Sequence, residues 1–172
     1  MNRVIIVPDA DLRASLAERG LVTVDRSEAS GGLILRPRPS QETHDSWSAA
    51  AQATEEVFRA AQAFMASATS RATPAGHLVI LIPADHAMGD PEDLAGSILA
   101  GTLISLVRTF ALEFRKPGLT ANCVFFDVSN GDIDGLDTIA ELVSMLTSQT
   151  QPLINGQEIF ASGGRDSGRR RP

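Results

Sequence analysis

The run His77-Leu-Val-Ile-Leu-Ile82 constrains this chain more than any other stretch. Its apolar residues are consecutive, several are β-branched, and Pro83 stops them after too few residues for a helix. A strand apolar on both sides must be covered on both faces, as in a parallel sheet between two helical layers. Arg3-Val-Ile-Ile-Val7, ended by Pro8, is a second run of this kind. Leu21–Val24, Leu33–Leu35 after Gly31-Gly32, Thr120–Asp127 and Gln157–Ala161 complete six expected strands.

Helical periodicity fills the intervals. Asp11–Arg19 places Leu12, Leu16 and Ala17 on one side, with Gly20 as its C-cap. Trp47–Ala66 repeats Trp47, Ala50, Ala51, Val57, Phe58, Ala61, Phe64 and Met65 at helical spacing. A third helix is expected from an Asp90 N-cap and Pro91 to about Arg115, with Gly118 beyond it. A fourth spans Leu136–Thr147. Arg36-Pro-Arg-Pro39, Ser67–Gly76 and Ala84–Asp90 read as loops. Strand–helix alternation with right-handed crossovers predicts an α/β three-layer sandwich, doubly wound, with strand order 2-1-3-4-5-6.

At 172 residues the chain suits one domain, expected over 1–164, with the Arg-rich stretch 165–172 as a disordered tail. The net charge of −6 argues against nucleic acid as a partner, because phosphate neutralisation needs a basic face. Lys116 is the only lysine, and there is no tyrosine. The single Cys123 excludes an internal disulfide and, lying mid-strand without a nearby His, reads as a buried structural thiol. No apolar run approaches the roughly 20 residues of a membrane span. The amino terminus lacks a signal-peptide pattern. The expected setting is soluble and cytoplasmic, without a membrane partner. His77, Asp85, His86 and Asp90 match no metal-ligand spacing, so no metal is expected. Arg36 and Arg38 follow a strand at its carboxyl end, where open α/β sheets bind ligands, and are candidates to meet an anion.

Residues 76–164 resemble, in order, the second half of a short-chain dehydrogenase/reductase. His77–Ile82 is similar to the family's Gly-x-Ile-Val-Asn-Ile-Ser-Ser strand. Leu103-Ile-Ser-Leu-Val-Arg-Thr-Phe-Ala-Leu-Glu113 is similar to its Leu-x-x-Leu-Thr-Arg-x-Leu-Ala-Leu-Glu helix. Gly118-Leu-Thr-Ala-Asn-Cys-Val124 resembles its Gly-Ile-Arg-Val-Asn-x-Val strand. Ile154-Asn-Gly-Gln-Glu-Ile-Phe160 with Gly163-Gly164 resembles its closing Ile-Thr-Gly-Gln segment. Trp47 and the helix after it resemble the family's Trp-containing helix. The resemblance implies a shortened Rossmann-like sheet.

The family's catalytic residues are not carried over. Gly96 takes the position of its Tyr, Ala100 of its Lys and Pro83 of its Ser, and Thr54 lies near its Asn. Gly cannot transfer a proton and Ala cannot carry charge. The Gly-rich phosphate turn is replaced by Pro8-Asp-Ala-Asp11, whose carboxylates repel phosphate. Asp25 stands where a ribose-binding acid would lie. Arg36–Pro39 replaces an Asn-Asn-Ala-Gly turn, and Phe126-Asp127 replaces the Pro-Gly beside the nicotinamide. Only about ten residues separate the second and third strands, so a helix–strand–helix segment is missing by comparison. No cofactor is expected.

The truncated pattern is also similar to the non-catalytic, flavodoxin-like amino-terminal half of high-molecular-weight 3-oxoacyl-carrier-protein reductases. Together these resemblances imply an inactive subunit that assembles with a full-length dehydrogenase/reductase, as in heteromers with one inactive member; a homo-oligomer is the other form. Hydroxyacyl or oxoacyl thioesters are the implied substrates of the partner. The implied interface uses the two long helices through Trp47, Phe58, Leu106, Phe110 and Phe114, because the later helix is apolar almost all round. The alternatives are an NAD(P)-dependent oxidoreductase with a non-standard site, and a sensor of acyl-CoA or another anion.

Overall fold

A computed structural model describes residues 3–7, 10–18, 22–23, 31–39, 46–115, 118–129, 132–148 and 153–164. The elements are β1 (Arg3–Val7), α1 (Ala10–Glu18), β2 (Val22–Thr23), β3 (Gly32–Leu35), α2 (Ser46–Thr69), β4 (Gly76–Pro83), α3 (Ala84–Ala87), α4 (Leu94–Glu113), β5 (Leu119–Phe126), β6 (Val128–Ser129), β7 (Asp132–Ile133), α5 (Leu136–Thr147) and β8 (Glu158–Ala161). The class is α/β with a parallel sheet, as the alternation of runs implies. The main sheet runs β2-β1-β3-β4-β5-β8, every pair parallel.

Strand periodicity divides the core in two. Leu78, Ile80 and Ile82 of β4 join Leu33 and Leu35 of β3 and Ala121, Cys123 and Phe125 of β5 beneath α2 and α4. Val79 and Leu81 point the other way, with Ile34, Val124 and Phe126, towards α1 and α5. Every residue of β5 is buried. Side chains alternate across a strand, so one continuous apolar sequence supplies both cores. At about 25 cal/mol per Å² of apolar surface, this two-faced burial is the main favourable contribution to the fold.

Polar groups inside these layers are paired. Asn122 is fully buried. Its side-chain N–H donates to the Ile154 carbonyl at 3.0 Å, and its oxygen accepts from the Gln157 N–H at 3.0 Å. The Asn155 oxygen accepts from the Ala121 N–H at 2.9 Å. These amides hold the approach to β8 against β5, where an unpaired buried group would cost about 1–3 kcal/mol. His77 Nδ1 lies 2.9 Å from Thr120 Oγ1 on the neighbouring strand.

Three features differ from the sequence reading. Asp90-Pro91 does not open α4: the Glu92 N–H donates to Asp90 Oδ1, closing a local turn. Asp93 is the cap, with Oδ1 accepting from the Gly96 N–H at 2.8 Å. Part of the expected 84–90 loop is the short helix α3. An antiparallel pair, β6 and β7, follows β5; its Asn130-Gly131 connection, a strong hairpin signal, lies outside the described residues. In addition, α4 is long and apolar enough to cross a membrane by length and composition, unlike the expectation from sequence. In this fold Leu99, Leu103, Val107 and Phe110 bury one side of it within the domain.

Gly118 and Gly101 test the packing in opposite senses. Gly118 has φ +89, and a Cβ there would stand 2.2 Å from the Pro74 carbonyl oxygen. Gly101 lies exposed in mid-α4 with open space around it. Gly118→Ala is expected to cost about 2 kcal/mol or more, and Gly101→Ala to stabilise by about 0.5–1 kcal/mol. Urea unfolding of both variants measures the two signs.

Candidate functional site

The parallel strands end, at their carboxyl side, on a cavity of about 560 Å³. Arg36 and Arg38 of the β3–α2 loop line one side. Asp85, His86, Asp90 and Asp93 of the β4–α4 connection line another. Leu99 and Leu103 of α4 and Phe126 of β5 supply apolar surface.

Arg36 directly follows Leu35, the last paired residue of β3, and is only 6% exposed. Its guanidinium carbon lies 5.0 Å from the centroid of the Phe126 ring, a cation–π contact. Phe126 is itself fully buried at the end of β5. Phe126 thus stands where the resemblance would put the Pro-Gly beside a nicotinamide ring, with the Arg36 guanidinium against it. Gly96 closes the region from the other side. An ideal Cβ there would meet His86 Cε1 at 2.5 Å, His86 Nδ1 at 2.6 Å and Asp93 Oδ2 at 2.7 Å. His86 Nε2 is 3.1 Å from Asp93 Oδ2, so the ring is clamped over the first turn of α4 by the residue that caps it. These residues do not fit a nicotinamide dinucleotide held in the manner of the family.

Pro83, Gly96 and Ala100 all line the cavity. Thr54 does not; its hydroxyl donates to the Ala50 carbonyl at 2.8 Å within α2. It lines a second hollow of about 410 Å³ between α2 and α4, with Trp47, Ala50, Phe58 and Ile98. Trp47 is 70% exposed and Phe58 40%. Leu106 and Phe114 are half-buried. Phe110 belongs elsewhere than the sequence reading put it. It is 2% exposed, with ring centroids 6.0 Å from Phe58 and 5.7 Å from Phe114. Packing of α2 on α4 covers it, so it supports the surface aromatics from beneath.

His77 and His86 lie at opposite ends of β4 and do not converge. Pro8, Asp9, Asp25 and the 165–172 tail lie outside the described residues; Ala10 and Asp11 begin α1. The Arg36–Phe126 contact was not legible as such, because it joins segments that only the fold brings together; the His86–Asp93 pair lies within one connection, whose path the sequence did not reveal. Asp93 left one signal: it stands three residues before an N–H in the first turn of an apolar helix.

Cys123 is buried, and burial pushes its thiol from the ordinary 9.0 up to about 12; the Glu158 charge adds to the shift and Arg108 opposes it. Arg108 forms an ion pair with Glu158. Above pH 9 the unfolded thiol loses its proton while the folded one keeps it. Stability from this group is thus present below pH 9 and falls as pH rises toward 12. With no tyrosine and one lysine, few other groups titrate there. The wild type should lose up to about 1 kcal/mol per pH unit between 9 and 11 relative to Cys123→Val, measured by urea unfolding.

The closed space at Gly96 is tested by a double-mutant cycle. Gly96→Ala is expected to destabilise by about 1 kcal/mol, although Ala ordinarily favours a helix. In a His86→Ala background the same change should be neutral or stabilising. Thermal unfolding of the four proteins reads the coupling.

No family model matches this chain, and no curated protein matches it in sequence. Solved structures do match in three dimensions. A short-chain dehydrogenase family protein from Francisella tularensis subsp. tularensis SCHU S4 aligns with TM-score 0.71 at 13% identity, over 96% of this chain and 98% of that one. ElxO with NADP bound aligns with TM-score 0.69 at 12% identity, over 96% and 99%. The 3-alpha-hydroxysteroid dehydrogenase of Pseudomonas sp. B-0831, complexed with NADH, aligns with TM-score 0.66 at 16% identity, over 98% of each chain. At these identities the likeness is one of fold: the chain has the fold of short-chain dehydrogenase/reductase proteins.

Proposed function

We propose that this chain is a non-catalytic, shortened dehydrogenase-like subunit that assembles with a full-length short-chain dehydrogenase/reductase. The observation that carries the reading is Gly96. The position that the resemblance assigns to the proton-transferring Tyr is a glycine whose Cβ direction is occupied by the side-chain ends of His86 and Asp93. Ala100, at the position of the Lys, is 1% exposed and apolar. Phe126, at the position of the Pro-Gly beside the nicotinamide by resemblance, is covered by the Arg36 guanidinium.

The assembly surface is the α2–α4 face. Trp47 and Phe58 border an apolar hollow there, and Leu106 and Phe114 extend along α4. An exposed Trp beside a partly exposed Phe is the composition of an interface core, where aromatic anchors carry much of the binding energy. By resemblance, the partner acts on hydroxyacyl or oxoacyl thioesters, and this chain stabilises it or completes its oligomer. The alternative, an NAD(P)-dependent oxidoreductase with a non-standard site, draws support from the shared fold; the closed Gly96 position weighs against it.

Affinity purification from the native host, followed by native mass spectrometry, tests the reading. The expected result is a defined complex with a full-length dehydrogenase/reductase. Trp47→Glu combined with Phe58→Glu should abolish the complex while circular dichroism stays unchanged. Recovery of this chain only as a monomer or a homo-oligomer would contradict it.

A further inference from the structure

We infer that the cavity at the carboxyl ends of β3, β4 and β5 binds an uncharged, apolar heteroaromatic compound whose ring N–H is donated to His86 Nδ1. This goes beyond the subunit reading and does not depend on it.

One unused hydrogen-bonding atom carries the inference. His86 Nε2 faces Asp93 Oδ2 at 3.1 Å. A carboxylate only accepts, so in the neutral imidazole Nε2 holds the proton and Nδ1 keeps a lone pair. Nδ1 stands over Gly96, and among the described residues it has no hydrogen-bond partner. No buried side-chain nitrogen or oxygen of the described residues lacks a partner. Nδ1 is therefore not sealed in the protein, and His86 and Gly96 both line the cavity. Asp93 is fixed in turn by the Gly96 N–H at 2.8 Å, so the acceptor is held in place before a ligand arrives.

The surroundings of Nδ1 choose the donor. Asp93 Oδ2 lies 2.7 Å from the same Gly96 Cβ position that Nδ1 approaches to 2.6 Å. Two acceptors thus converge there. A hydroxyl or carbonyl oxygen would set its own lone pairs against the carboxylate, whereas an indole-type N–H donates and does not accept. The rest of the lining excludes a formal charge on the ligand. Asp85, Asp90 and Asp93 line the cavity together with Arg36 and Arg38. A cation or an anion would each meet like charge inside it and lose hydration on entry, and a neutral ring meets neither cost.

The space suits a rigid ring system. A volume of about 560 Å³ falls within the roughly 300–1,000 Å³ of small-molecule sites. Leu99, Ala100 and Leu103 of α4 give it a buried apolar wall, and Val128, 42% exposed, stands at its margin. A flat ring loses little conformational freedom against such a wall.

Isothermal titration of the full chain with indole tests the inference. Saturable binding is expected. N-methylindole, with the same ring and no N–H, should bind at least about tenfold more weakly. Tryptamine and indole-3-acetate, which add a cation and an anion, should each be weaker by a similar factor. His86→Phe, which keeps a ring and removes the acceptor, should lower indole affinity by about tenfold or more. If His86→Phe fails to fold, the indole and N-methylindole pair on the unaltered chain decides the matter. Nitrogen NMR locates the contact: the His86 Nδ1 signal should move with indole and stay in place with N-methylindole. No saturable indole binding, equal binding of the methylated compound, or an unmoved Nδ1 signal would overturn the proposal. Tighter binding of tryptamine or indole-3-acetate than of indole would overturn the uncharged assignment, and tighter binding of naphthol would overturn the N–H assignment. None of these outcomes alters the expected complex with a dehydrogenase/reductase, so the two readings fail separately.

Discussion

The pairing of β4 with β5 is the constraint on which the rest of the molecule depends. Eight residues of each strand stand in register, from Gly76 beside Leu119 to Pro83 beside Phe126. Both strands are apolar on both faces, so neither is stable without cover on each side. The covers follow: α2 and α4 on the face of Leu78, Ile80 and Phe125, and α1 and α5 on the face of Val79, Leu81 and Val124. The strands end together, and that shared end forms the floor of the cavity. At the other end, Gly118 is held against Pro74 and its carbonyl accepts from the Gly76 N–H at 2.9 Å.

Helix α4 answers to two surfaces at once. Leu99, Leu103, Val107 and Phe110 belong to the sheet and to α2. Its first turn, capped by Asp93 and roofed by His86, shapes the cavity. Its remaining apolar surface, with Trp47 and Phe58 on α2, faces outward. A helix this apolar satisfies one side with its own core; the subunit proposal gives the other side its partner. In that view the carboxyl end of the sheet has lost proton transfer, while the helical face has kept its packing.

Much of this was legible in the sequence because it rests on periodicity. The bounds of α5, Leu136–Thr147, coincide with its apolar pattern. The parallel sheet follows from apolar runs that neither alternate nor reach helical length. The start of α4 was less legible, because Asp90-Pro91 and Asp93 both carry capping signals and only the fold shows that Asp90 caps a turn instead. Phe110 looked like surface because an all-round apolar helix does not reveal which aromatic its neighbour covers. The site was legible only in part. Gly96, Ala100 and Pro83 meet at one cavity, but the clamp of His86 on Asp93 depends on the path of the β4–α4 connection, and the seat of Arg36 on Phe126 joins residues far apart in the chain. No local pattern encodes such contacts.

The central claim is that Arg36 on Phe126 and His86 over Gly96 shape the cavity at the strand ends so that it does not receive a dinucleotide. Calorimetric titration of the purified chain with NADH and with NADPH tests it most directly. The account predicts no saturable binding of either up to millimolar concentration. Saturable binding in the micromolar range would contradict it.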